Sequence, residues 1–130
     1  MKIMVGYDRS NVAKEALELA KKHAKAFDAK VYVVRSLAQS REMKLEDIQN
    51  AEQELENIRR SFRDEGIACK TEAIVSSISP GEDLVQFAQE NEIDEIVIGV
   101  RRRSKVGKLL FGSNAQYIIL MAQCPVVAVK

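Results

Sequence analysis

Glu95-Ile96-Val97-Ile98-Gly99 decides the fold. Ile96, Val97 and Ile98 are consecutive β-branched residues with no polar residue alternating between them. Such a run suits a strand buried on both faces, the position of a central strand in a parallel sheet. Just upstream, Ser79-Pro80-Gly81-Glu82 predicts a helix start. Ser79 caps, Pro80 fits the first helical position and Glu82 completes a capping box. Leu84, Val85 and Ala88 give that helix its inner face. Downstream, a basic segment leads to a predicted helix from Ser113 to Gln123, with Ala115, Ile118, Ile119 and Ala122 inward. Pro125 to Val129 then reads as a last strand.

The same alternation runs back to the N-terminus. A third strand is expected from Lys70 to Val75. Before it, Leu45, Ile48, Ala51, Leu55, Ile58 and Phe62 recur at helical spacing, and Gly66 stands just past that helix as its C-terminal stop. Val31 to Val34 is a second strand, followed by a polar loop from Gln39 to Lys44. Asp8-Arg9-Ser10-Asn11 is turn and cap chemistry. After it, Ala13, Ala16, Leu17, Ala20, Ala24 and Phe27 form a helical stripe, and Ile3 to Val5 before it is the first strand. The order β-α-β-α-β-α-β-α-β implies an α/β fold: an open five-stranded parallel sheet with helices on both faces, since parallel strands need crossover connections. A chain of 130 residues fits one domain over 1–130.

Composition narrows the function. Twenty basic and nineteen acidic residues nearly cancel, which argues against a protein built to coat nucleic acid or an anionic membrane. Aromatic residues are only 5%, too few for base-stacking platforms, so nucleic acid is not the expected partner. The apolar run Ile3 to Gly6 stops at Tyr7, too short for an export signal or a membrane span. Cys69 and Cys124 lack metal-ligand spacing and read as free thiols, giving a cytoplasmic expectation. His23 lies among Lys21, Lys22 and Lys25, reads as exposed, and anchors no Ser-His-Asp set. Neither a G-x4-G-K-S/T loop nor a G-x-G-x-x-G turn occurs.

In an open α/β sheet, ligands sit beyond the carboxyl ends of the strands, where strand order reverses. Of the segments leaving those ends, 99–113 stands out. It carries Arg101, Arg102, Arg103, Lys105 and Lys108, no acid, and Gly112-Ser113 at a helix start. A phosphate chain finds cations, N–H donors and a helix dipole together there. A solvated basic loop with Ser113 capping its helix is the other reading. Asp8 likewise reads either as an Asx turn or as a ligand contact, and the two are compatible.

Spacing brings a family into view. Gly99, two intervening residues, Arg102, nine more, then Gly112-Ser113 resembles the G-x2-G-x9-G-S/T signature of the universal stress proteins. V-G-Y-D-R-S, D-E-I-V-I-G-V and C-P-V-V-A-V match the family's first, fourth and last strands, so the resemblance covers the whole chain. It implies sheet order 3-2-1-4-5 in the adenine nucleotide α-hydrolase-like, Rossmann-like class, a dimer, and in one branch bound ATP with Mg²⁺ or Mn²⁺. Carried over by position, Gly99, Gly112, Ser113 and the adjoining Asn114 fall at the phosphates. Asp8 falls near the ribose and, indirectly, the metal. Ser36 and Leu37 fall near the adenine, and Val100 flanks the pocket. Arg102 replaces the signature's second glycine, and either holds phosphate itself or fills the pocket. A homodimer would pair through Val126 to Val129. No general base is evident, so ATP hydrolysis would be slow; the other reading is a ligand-free interaction protein acting through its dimer and basic loop.

Overall fold

The structure, a computed structural model, describes residues 1–76, 78–101 and 112–130. Five strands, β1 (Lys2–Gly6), β2 (Lys30–Ala38), β3 (Cys69–Ser76), β4 (Glu95–Gly99) and β5 (Val126–Val129), alternate with α1 (Asn11–Phe27), α2 (Leu45–Asp64), α3 (Pro80–Glu90) and α4 (Ser113–Met121). The sheet order is β3-β2-β1-β4-β5, and every pairing is parallel. Strand order reverses between β1 and β4, which opens a crevice above their carboxyl ends.

Strand alternation divides the core in two. Ile3, Val5, Val31, Val33 and Val97 face α1 and α2, meeting Ala16, Ala20, Leu55 and Phe62. Met4, Tyr32, Val34, Ile96 and Ile98 face the other way, onto Leu84 and Phe87 of α3 and Ile118 of α4. The uninterrupted apolar run in β4 is thus covered on both faces, as a period-2 strand in a two-sided sheet must be.

The helix boundaries follow from local chemistry. Ser10 caps α1 by accepting from Ala13 N at 3.1 Å. Ser79 caps α3 by accepting from Glu82 N at 3.3 Å, with Pro80 in the first turn. Gly66 follows the end of α2 at φ 76°, a left-handed value that a side chain rarely adopts.

Three apolar residues depart from the expected stripes. Phe27 and Leu45 are 58% and 70% exposed, because they are the last residue of α1 and the first of α2. Phe27 meets the His23 ring edge-on instead of the sheet. Ile119 is also exposed, on the outer side of α4. His23 departs in the opposite sense: it is half-buried, with Nδ1 2.6 Å from Glu95 Oε1 at the start of β4. Its lysine neighbours in sequence masked a contact made across the fold.

Candidate nucleotide site

Above the crevice lies a cavity of about 330 Å³. Its walls come from the end of β1 (Gly6, Tyr7, Asp8), from Ser36 of β2, from Pro80 and Leu84 of α3, from the end of β4 (Gly99, Val100) and from the first turn of α4 (Gly112, Ser113, Asn114).

Asp8 is exposed at the rim, and its Oδ1 accepts from Ser10 N at 3.0 Å and from the Ser10 hydroxyl. That Asx turn feeds the α1 cap, so Asp8 both shapes the turn and presents a carboxylate to the cavity. Among the described residues no group of three or more His, Cys, Asp or Glu side chains could hold a metal. One carboxylate suits a magnesium ion that arrives on phosphates and keeps most of its water, and does not suit a cage made by protein alone.

Also lining the cavity, Gly112 is the N-cap of α4 at φ −60°. A glycine cap has no side-chain oxygen, so it leaves the first-turn N–H groups uncovered on its side. Ser113 is exposed as the first helical residue and does not cap the helix, unlike in the solvated-loop reading. Asn114 turns its Oδ1 to Gly81 N at 3.0 Å, which ties the N-terminus of α3 to that of α4. Two helix N-termini therefore meet at one cavity, but Glu82 and Asp83 in the first turn of α3 offset its dipole, so the unshielded positive end is that of α4. Arg101 adds a cation at the wall. Arg102, with the rest of 102–111, lies outside the described residues.

Gly99 and Val100 line the cavity but are constrained from behind. A Cβ on Gly99 would lie 2.6 Å from Val12 C and 2.8 Å from Ala13 N, so the missing side chain makes room for α1. Val100 is buried and donates its N–H to Val129 O at 2.7 Å.

Ser36 and Leu37 part company. Ser36 shares the face of Val34 and lines the cavity, whereas the Leu37 side chain lines a separate depression with Arg35 and Glu54. Neighbouring residues in a strand point to opposite faces, so only one side chain of the pair can enter the cavity. Ser36 Oγ donates to Asp83 Oδ2 at 2.7 Å, and Asp83 is only 8% exposed. Asp83 escapes notice in the sequence, because an acid in a helix's first turn is ordinary.

Tyr7 anchors the β1 end from below. Its hydroxyl donates to Glu54 Oε1 at 2.8 Å, and Glu54 also holds Arg9 and Arg35. Burial, aided by the bond to Glu54, pushes the phenol up to about 12. The folded state keeps this proton where the unfolded chain, with an ordinary value near 10, has lost it. The stabilisation is therefore fully present below pH 10 and is lost as pH rises through about 12. It amounts to ~2 kcal/mol. Urea unfolding of wild type and Tyr7→Phe should show their stability difference shrinking by that amount between pH 9 and 12. A difference independent of pH would contradict the assignment.

The family model of the universal stress protein family matches residues 1–130. This chain is a universal stress protein. It is 31% identical to the universal stress protein MJ0531 of Methanocaldococcus jannaschii, over 99% of this chain and 81% of that one. A universal stress protein of Archaeoglobus fulgidus superposes with TM-score 0.85 at 35% identity, covering 100% of this chain and 93% of the other. An A. fulgidus universal stress protein structure in complex with dAMP gives TM-score 0.83 at 35% identity, covering 100% and 98%. The expected sheet order is that of the family fold. No helix among the described residues is long and apolar enough to cross a membrane.

Proposed function

We propose that this universal stress protein binds an adenine nucleotide, ATP with Mg²⁺ or Mn²⁺, in the crevice between β1 and β4, and acts in the stress response as a cytoplasmic homodimer. The observation that carries the reading is the first turn of α4, which no side chain caps and which lines the same cavity as Asp8. First-turn N–H groups, the Ser113 hydroxyl and the dipole of α4, whose first turn holds no acid, suit a phosphate chain. Asp8, which lines the cavity, would meet the ribose or the metal's water shell. The bound metal would neutralise phosphate charge. The complex of an A. fulgidus relative with dAMP supports a nucleotide in this fold. Isothermal titration of the protein with ATP and magnesium tests the reading: saturable heat is expected, and none would leave a ligand-free interaction protein.

The far edge of the sheet supports the dimer. β5 is an edge strand, apolar from Val126 to Val129, and Leu120 and Met121 of α4 are 71% and 54% exposed. Pairing two such edges across a two-fold axis satisfies their backbone groups and covers these side chains. Sedimentation at micromolar concentration should give a dimer, and Leu120→Glu should shift it toward monomer; a monomeric wild type would refute the arrangement.

A further inference from the structure

Glu54 reaches the site from the α2 side of the sheet. In the sequence it is one of five acids from Glu46 to Glu56 and reads as the solvated face of a helix. In the fold it is half-buried beside Leu55, which packs into the core. Its Oε1 accepts from the Tyr7 hydroxyl at 2.8 Å, and its Oε2 lies 3.1 Å from Arg9 Nε and 3.4 Å from Arg35 Nη1. Tyr7 and Arg9 are the residues on either side of Asp8 in the chain. One carboxylate thus grips both neighbours of the acid that lines the cavity.

The two arms differ in strength. The Arg9 side chain is 63% exposed, and an exposed ion pair holds weakly. Tyr7 is only 5% exposed, so its hydroxyl would be left without its buried acceptor if Glu54 were removed. That bond fixes the chain just before Asp8. Just after it, Arg9 has φ 68°, a left-handed value that a side chain rarely adopts. The Asx turn from Asp8 to Ser10 and the pull of Glu54 on Arg9 together keep that value. Asp8 is itself exposed at the rim, so bonds, and not packing, hold its carboxylate in place.

We propose that Glu54 is a positioning residue of the nucleotide site: from α2 it clamps the chain on both sides of Asp8 and so holds that carboxylate for the ribose or the metal's water shell. This rests on the nucleotide reading above. Glu54 is absent from the wall of the cavity and lines the separate depression with Arg35 and Leu37, so it acts on a ligand through the residues it holds. A contact group fixed before the ligand arrives loses little freedom on binding, which is what the clamp contributes to affinity.

Titration with ATP and magnesium across a mutant cycle tests the clamp. Asp8→Asn keeps the acceptor of the Asx turn and removes the charge, and should weaken ATP about tenfold, the worth of one charge-assisted hydrogen bond. Glu54→Ala alone should weaken ATP about fivefold, but less than about twofold in the Asp8→Asn background, where the clamp has no carboxylate left to hold. Glu54→Gln, whose amide oxygen still accepts from the Tyr7 hydroxyl, should recover most of the affinity. Tyr7→Phe keeps the packing of the ring and should show the same loss and the same dependence on Asp8, which covers the case of a poorly folded Glu54→Ala. Glu54→Ala and Tyr7→Phe that bind ATP like wild type overturn the clamp and leave the nucleotide site standing. So does a loss that persists undiminished in the Asp8→Asn background, the mark of general loosening. Undiminished binding by Asp8→Asn overturns it as well. If wild type binds no ATP, both proposals fall.

Discussion

Gly99→Ala is expected to destabilise the protein by more than about 3 kcal/mol, the largest stability effect of any single methyl group placed near the site. The new Cβ would lie 2.6 Å from Val12 C, 2.7 Å from Val12 Cγ2 and 2.8 Å from Ala13 N. Two of these are backbone atoms in the first turn of α1, which cannot swing aside as a side chain does. That turn is fixed by the Ser10 cap and, through Ser10, by Asp8. On the other side, Gly99 pairs with Val129 of β5. Relief requires α1 to move off the sheet, and with it the buried Ala13 and Ala16. Overpacking ordinarily costs about 1–3 kcal/mol, and a backbone neighbour puts this case above that range. Against a total stability of about 5–15 kcal/mol, the melting temperature should fall by more than about 10 °C. A variant melting close to wild type would show that α1 and β4 separate more easily than their packing indicates.

Gly112→Val should do the reverse, sparing the fold and removing the nucleotide. Among the described residues nothing lies within 4 Å of a Cβ built there, and φ is −60°, open to any residue. Loss of a tolerated N-cap residue costs about 1 kcal/mol. The isopropyl group would stand in the cavity over the first turn of α4, where it hides N–H donors that a phosphate needs. Titration with ATP and magnesium should show affinity reduced at least about a hundredfold, with melting lowered by only about 3–4 °C. Undiminished affinity would place the phosphates elsewhere. Melting curves and titrations on both glycine variants separate the two expected effects, loss of stability at Gly99 and loss of nucleotide at Gly112.

Much of this was legible in the chain. The run Ile96-Val97-Ile98 announced a strand buried on both faces, and Ile3-Met4-Val5 reads the same way for β1 beside it. Ser10, Ser79 and Gly66 marked helix ends through bonds and backbone angles made within a few residues. Two of the errors fell at helix ends: Phe27 and Leu45 keep the helical phase but overrun the sheet, a length that periodicity does not encode. In the site, Gly112 and Ser113 were visible as a glycine-bounded helix start, while Arg102 remains a reading of sequence alone.

The sequence by itself determined the element order, the two-sided sheet and the family, because these rest on periods of two and 3.6 residues and on local caps and spacings. Tertiary structure alone decided what the site residues do. It turned Ser36 into the cavity and Leu37 away, set Asp83 behind Ser36 across 47 positions, and bound Asn114 to Gly81 across 33. It also packed α1 against Gly99, which lines the cavity. Such pairs are joined by the crossing of strands and helices, and a contact between distant positions leaves no periodic trace in either segment.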